Sequence, residues 1–147
     1  MHGFQTSRMN IQQATGIEDI QKCRDVIVCL RPHLADADLE DMLLSMFAEG
    51  YRLHYIEENG RAVAFIGFRF LQFLFNGKHI YIDDLCSLPG TRGKGYGTAL
   101  LNFVDDIARA NNLATVTLDS GFQRNDAHRL YLNQGFNLAS FHFSKKL

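Results

Sequence analysis

Apolar positions recur along this chain with a helical period at first, switch to a strand-like pattern near residue 51, and return to helical spacing near residue 100. After a polar lead over residues 1–9, residues 10–14 read as a short strand. Thr15-Gly16-Ile17-Glu18 then has the spacing of a capping box, in which a cap and an acid three positions on satisfy free helical N–H groups. The helix it predicts carries Ile20, Cys23, Ile27 and Leu30 on one face and ends at Arg31-Pro32, because proline disfavours a helical residue before it. A second helix is predicted over 36–49, where Leu39, Met42, Leu43, Met46 and Phe47 follow the i, i+3, i+4, i+7, i+8 pattern and Gly50 is placed to end it. That stripe predicts core, or the wall of a pocket.

Residues 53–57, 62–73 and 79–88 are rich in β-branched and aromatic types and are separated by Asn59-Gly60 and Asn76-Gly77. Asn-Gly between apolar runs is a hairpin signal, so three antiparallel strands are predicted. Leu100, Leu101, Val104, Ile107 and Ala108 then mark a helix running to about Asn111. A strand over 115–118, a short helix over 126–133 stopped by Gly135, and a last strand over 136–143 complete the order; the apolar phase of that last strand slips near Ala139-Ser140. The expected fold is α+β: a mixed, mostly antiparallel central sheet flanked by helices, in a single domain over 1–147 without repeats or linkers.

Bulk properties narrow the function. A chain of 147 residues that is 46% hydrophobic suits one core. Fifteen basic residues against sixteen acidic ones leave a formal charge of −1, with no basic excess to drive nucleic-acid binding. Three cysteines, Cys23, Cys29 and Cys86, lack C-x-x-C spacing, and the six histidines lack H-x-x-x-H pairing, so neither a disulfide framework nor a metal site is predicted. No apolar run approaches the ~18 residues of a membrane span, and the first ten residues do not resemble a signal peptide, although Met9 offers an alternative start. A cytoplasmic protein without a membrane or nucleic-acid partner is expected; a homodimer is compatible with these features.

The densest chemistry lies in Leu85-Cys86-Ser87-Leu88-Pro89-Gly90-Thr91-Arg92-Gly93-Lys94-Gly95-Tyr96-Gly97-Thr98, which runs from a strand straight into a helix. Glycines let consecutive N–H groups turn inward, and the helix adds its free N-terminal donors and positive dipole end. Such a nest binds a diphosphate; the alternative is a strand-to-helix turn without ligand. A Walker loop fails because Gly95 rather than Ser or Thr follows Lys94, and the dinucleotide fingerprint fails because Thr98 or Leu100 occupies its third small position.

The strand, Pro89 and the R-G-x-G-x-G run resemble the cofactor motif of the GNAT superfamily of N-acetyltransferases, and the order of elements is similar over nearly the whole chain. The resemblance implies acetyl-CoA as co-substrate, with its pyrophosphate on the backbone of Arg92, Gly93, Lys94, Gly95, Tyr96, Gly97 and Thr98. It also implies that the pantetheine arm pairs with the main chain of Leu85, Cys86 and Ser87, as an extended ligand adds to a strand edge. The opening that receives them would lie between the strand ending at Ser87 and the strand ending at Ser120. Downstream, Ala127 to Phe136 is similar to the family's A-x-x-x-Y-x-x-x-G-F segment, which makes Tyr131 the counterpart of the tyrosine near the cofactor sulfur. A phenol there can protonate a departing thiolate. The family often has Asn seven residues before this tyrosine; here Arg124 occupies that position and Asn125 follows, so Asn125 meets the cofactor if the loop shifts by one and Arg124 otherwise reaches a phosphate.

An acceptor amine attacks only when neutral, so a base is useful. Asp83 and Asp84 stand just before the pantetheine stretch, where acetyltransferases of the spermidine/spermine type carry an acidic pair. Their alternatives are solvation or a salt bridge, and strand alternation points them to opposite faces unless a bulge intervenes. Asp83 is the expected base and Asp84 the expected anchor. Cys86 reads as a small buried residue, His128 as a surface or packing residue with a lesser role as base, and Asp119 and Ser120 as turn-shaping or substrate-binding. The function expected is transfer of acetyl from acetyl-CoA to a primary amine of a small molecule or peptide in a ternary complex. Its competitors are a non-catalytic acyl-CoA-binding module and an acetyltransferase acting on charged tRNA, the latter disfavoured by the charge balance.

Overall fold

A computed structural model describes residues 9–147; the rest of the polar lead, and with it the choice between Met1 and Met9 as start, lies outside the described residues. The chain runs β1 (Ile11–Gln13), α1 (Ile17–Leu30), a 3-10 turn (Pro32–Leu34), α2 (Leu39–Ala48), β2 (Arg52–Glu58), β3 (Arg61–Phe73), β4 (Gly77–Ser87), a second 3-10 turn (Pro89–Thr91), α3 (Tyr96–Ala110), β5 (Val116–Leu118) and α4 (Asn125–Asn133). One sheet forms in the order β1-β2-β3-β4-β5, antiparallel through β4 and parallel between β4 and β5. Asn59 and Gly60 both adopt positive φ (53° and 85°), as a two-residue hairpin turn with the sheet's right-handed twist requires. Tyr55, Phe65, Phe68, Leu100 and Leu101 lie in the middle of the core, each under 2% exposed. Among the described residues no helix is long and apolar enough to cross a membrane.

Helix α1 is fastened at both ends. Its cap is Gly16, one residue later than the expected box, and Asp19 rather than Glu18 closes it, accepting from the N–H groups of Thr15 (2.9 Å) and Gly16 (3.4 Å). The other oxygen of Asp19 accepts from the Tyr55 hydroxyl at 2.7 Å, joining the start of α1 to β2. Burial alone would raise the Asp19 pKa, but these hydrogen bonds to its charged form hold it below the ordinary carboxylate value. The predicted face is buried: Ile20, Cys23, Ile27 and Leu30, together with Val26. At the far end Arg31 reaches β4.

Three expectations change. Helix α2 starts at Leu39 instead of residue 36, because the Pro32–Leu34 turn occupies the approach and Asp38 provides the cap, accepting from Asp41 N–H at 3.0 Å. Only Leu39 and Leu43 of its stripe are buried; Met42 is 38% exposed, and Met46 and Phe47 pack against the core only in part. Residues 136–143 do not form a strand. Phe136 packs on Tyr131, but Leu138, Phe141 and Phe143 are exposed, and their parity explains why: Leu138 falls on one face of any strand here and Phe141 and Phe143 on the other. With no single apolar face, this stretch gains nothing by adding to the sheet, and β5 stays a three-residue edge.

Candidate functional site

The site begins at a break in strand pairing. Gly67 pairs with Asp84 and Phe68 with Ile82, so Asp83 is an extra residue on β4, a β-bulge. Residues Ile80 to Ile82 pair with β5, and beyond the bulge β4 runs on to Ser87 without β5 beside it. The two parallel strands therefore part where the acidic pair stands, which leaves the edge of Leu85, Cys86 and Ser87 on that side without a strand partner.

The bulge cancels the expected alternation and brings both carboxylates into one cluster. Asp84 is fully engaged: its Oδ1 accepts from Arg31 Nη2 (2.7 Å) and Nε (3.1 Å), and its Oδ2 from the Tyr51 hydroxyl (2.6 Å). Arg31 also donates to the Asp83 carbonyl at 3.2 Å. Asp83 holds Arg69 Nε through Oδ2 at 2.9 Å, while its Oδ1 is buried with no hydrogen-bond partner. Burial pushes the Asp83 pKa up, the Arg69 hydrogen bond and charge oppose that, and the Asp84 charge adds to it; the net shift is upward. Arg69 lies over the Tyr51 ring, 5.2 Å from its centroid. Space for Tyr51 comes from Gly67, since a Cβ there would sit 1.7 Å from the Tyr51 hydroxyl oxygen. Burial, and then the Asp84 charge, raise the Tyr51 pKa well above its ordinary value. On the adjoining strands Tyr81 donates to Asp119 Oδ2 at 2.8 Å, and Ser120 Oγ is buried without a partner.

At the other end of the opening, Gly93 and Gly95 take positive φ (87° and 80°), a backbone state that side chains disfavour. Gly95 caps α3, and among the described residues no backbone carbonyl takes the N–H groups of Tyr96, Gly97 or Thr98, the first turn of that helix. These free donors, with Arg92 beside them, fit an anionic diphosphate. Two side chains of the turn are committed elsewhere: the Tyr96 hydroxyl donates to the Glu58 carboxylate, and Lys94 Nζ lies 3.5 Å from the same group. They anchor the turn to β2 and leave its backbone N–H groups as the uncommitted donors. A cavity of about 280 Å³ on that flank, bounded by Glu58, Arg61, Val63, Leu88 and Lys94, lies on the hairpin side of the turn. Gly97 serves packing as well: a Cβ there would meet Leu130 Cδ2 of α4 at 3.0 Å.

Tyr131, on α4, stacks edge-on against Phe136 at 5.9 Å, and among the described residues its hydroxyl has no hydrogen-bond partner. Burial raises its pKa; Arg124 pulls it down, Cys86 pushes it up and Arg31 pulls it down. Those influences place the hydroxyl within electrostatic reach of β4, of the last residue before the Pro32 turn, and of the α4 cap. Arg124 is that cap, half-buried and within electrostatic reach of Tyr131 and Cys86, whereas Asn125 is exposed. His128 Nε2 bonds the Gly121 carbonyl at 2.8 Å and shapes the preceding loop.

The structure thus gathers Asp83, Asp84, Leu85, Cys86 and Ser87 at one strand edge, with Tyr131 facing it and residues Arg92 to Thr98 at its end. Sequence reasoning passed over Arg31, Tyr51 and Arg69, which hold the acidic pair. The signal available for them was Gly67, a glycine inside an apolar strand, which marks a close approach or a bulge.

The family model described as "Acetyltransferase (GNAT) family" matches residues 17–136. An uncharacterised N-acetyltransferase of Bacillus subtilis (strain 168), YhdJ, is 34% identical over 142 residues, covering 93% of this chain and 98% of that one. The aminoalkylphosphonate N-acetyltransferase of Salmonella typhimurium is 33% identical over 90 residues, 60% of this chain and 58% of its own length. Among solved structures, the aminoglycoside N-acetyltransferase AAC(6')-Iy in complex with CoA superposes with a TM-score of 0.71 at 17% identity, over 94% of this chain and 99% of that one.

Proposed function

The chain belongs to the acetyltransferase (GNAT) family, and we propose that it moves the acetyl group of acetyl-CoA to a primary amine by direct attack while both substrates are bound. The observation that carries this reading is the pairing of a strand edge freed by the Asp83 bulge with three unpaired N–H groups at the start of α3. The N–H groups of Tyr96, Gly97 and Thr98 would hold the pyrophosphate, and the Leu85 to Ser87 main chain the pantetheine. Of the two residues expected at this position, Arg124 would meet a cofactor phosphate, and Asn125 would not take the place of the family's asparagine. A solved relative by fold was crystallised with CoA, which supports the same co-substrate here.

Each protein group then has one task. Asp83 presents a buried, unpartnered Oδ1 whose raised pKa suits it to take a proton from an ammonium, directly or through water. Asp84 is held by Arg31 and Tyr51 and keeps the bulge in place. Tyr131 stays protonated because burial raises its pKa, so its free hydroxyl can donate to a departing thiolate. The acceptor is a small-molecule or peptide amine, in keeping with relatives named for aminoalkylphosphonate and aminoglycoside acetylation.

The test is coenzyme A release from acetyl-CoA over a panel of polyamines, aminoglycosides, aminoalkylphosphonates, amino acids and peptides. At least one amine should drive release, and Tyr131→Phe should lower that rate by roughly 10²-fold while retaining acetyl-CoA binding. No amine-dependent release over the whole panel overturns the reading; an unchanged rate in Tyr131→Phe returns that residue to packing.

A further inference from the structure

The acetyl-transfer reading gives Asp83 a task and leaves its partner idle. Arg69 stands on β3 opposite Tyr81, beside the register break, and its Nε reaches across to Asp83 Oδ2 at 2.9 Å. That is its only hydrogen bond among the described residues, so both terminal nitrogens of the guanidinium are unengaged. The neighbouring pair differs. Arg31 gives two nitrogens to Asp84 Oδ1, and the Tyr51 hydroxyl takes Oδ2. Asp84 is therefore saturated, whereas Asp83 and Arg69 are joined at one point and keep a buried carboxylate oxygen, Oδ1, and a guanidinium edge uncommitted. Their side chains are 21% and 27% exposed, so a ligand in the opening can reach both. The buried Tyr51 ring, 5.2 Å from the guanidinium and fixed through its hydroxyl to Asp84, holds Arg69 in place.

We propose that the acceptor is a zwitterion, with its primary amine on Asp83 Oδ1 and a carboxylate or phosphonate on the terminal nitrogens of Arg69. The proposal rests on the acetyl-transfer reading and makes Arg69 a specificity-determining residue of that site. Charge balance carries it. Two carboxylates and two guanidinium groups cancel at the bulge. A simple ammonium entering this partly desolvated cluster adds an uncompensated positive charge beside Arg69, and a diamine adds two; a zwitterion adds none and satisfies both unengaged groups. The third carboxylate in reach, Asp119, is 42% exposed, takes the Tyr81 hydroxyl and lies 3.9 Å from His142, so solvent screens it more than the other two. The planar fork of an arginine matches two oxygens of a carboxylate or phosphonate. Because Nε already touches Oδ2, the two subsites adjoin, and a short carbon chain must separate amine from anion. Once Asp83 has taken the ammonium proton, its attraction for the amine is gone, and the Arg69 contact keeps the acceptor in position for attack.

The test uses matched acceptors in the coenzyme A release assay: glycine against methylamine, and β-alanine and 2-aminoethylphosphonate each against ethylamine, with putrescine as the dication. At least one anionic member should exceed its partner in kcat/KM by roughly 10- to 100-fold, the worth of a charge-assisted hydrogen-bonded pair. Arg69→Gln should bring that ratio close to one and leave the KM for acetyl-CoA unchanged; its effect on Asp83 falls on both members of a pair and cancels in the ratio. Turnover in which every anion-free amine equals or surpasses its partner overturns the proposal and leaves acetyl transfer standing, as does a ratio that survives Arg69→Gln in full. If no amine releases coenzyme A, acetyl transfer falls, and calorimetric titration with the same three zwitterions decides the site alone. Binding of one of them that weakens by about 10-fold or more in Arg69→Gln upholds it, and equal or absent heats in the two proteins overturn it.

Discussion

Lowering the pH should destabilise this protein through His54. This residue of β2 is only 8% exposed, stacked on Phe68 at 5.5 Å and tilted against Phe103 of α3 at 4.8 Å, and its Nδ1 is buried without a hydrogen bond. Burial, aided by the charge of Arg52, lowers its pKa from 6.5 to about 4. Between those values the unfolded chain binds a proton that the folded chain refuses. Stability from this group is therefore complete above about pH 6.5 and is lost as the pH falls towards 4. A shift of about 2.5 units corresponds to ~3.4 kcal/mol in full, and to about 2 kcal/mol at pH 5, where unfolded His54 is charged and folded His54 is mostly neutral. For a domain of this length that lowers Tm by about 4–8 °C. Urea unfolding of wild type and His54→Phe at pH 8 and pH 5 measures it, the expectation being that wild type loses ~2 kcal/mol more than the variant. Parallel losses in the two proteins would refute the argument. Acetyl-CoA at a hundred times its Kd should offset the loss, supplying about 2.7 kcal/mol by mass action because it binds the folded chain and not the unfolded one.

The remaining predictions concern the acidic cluster. Asp83→Asn should lower kcat/KM by ~10²-fold or more and raise the pH at which it reaches its plateau, whereas Asp84→Asn should act mainly on stability, by about 1–3 kcal/mol, because it weakens the pairing of half-exposed Arg31 and of the buried Tyr51 hydroxyl. Identical pH–rate profiles and unfolding midpoints in the two variants would remove the division of labour. Gly67→Ala should be costlier than an exposed substitution, because its Cβ, 1.7 Å from the Tyr51 hydroxyl oxygen, must expel Tyr51 from Asp84. A loss of ~1–3 kcal/mol in urea is expected, and an unchanged midpoint would show that Tyr51 has another place to go.

Helices α1 and α3 were legible because their apolar positions repeat every three or four residues, and the hairpins because Asn59-Gly60 and Asn76-Gly77 carry the turn in their own backbone preferences. The glycine turn was legible for the same local reason. What escaped was set by distant partners. Whether Asp83 and Asp84 share a side depends on how β3 is registered against β4, and no property of the acidic pair itself encodes a bulge. Tyr51 and Gly67 are complementary only once folded, and the pairing of Lys94 with Glu58 of β2 joins residues far apart in the sequence. The cap of α1 moved by one residue because Asp19 can also reach Tyr55, and Glu18 makes no such contact. Residues 136–143 carried enough apolar types for a strand, and the phase slip at Ala139-Ser140 was the warning that they had no common face.

In β4, odd and even positions exchange roles at a single residue. Up to Ile82 the strand is committed to its parallel neighbour, and after Asp83 its edge is at liberty. The surplus residue acts as a clutch between the two halves: substitutions before it are felt by the whole sheet, while those after it are felt first by whatever enters the opening. Deleting that one position would leave the composition almost untouched, yet it would restore continuous alternation and turn one half of the strand over relative to the other. The number of residues between the turn at Gly77 and the one at Gly93 is thus as much a determinant of this site as their identity.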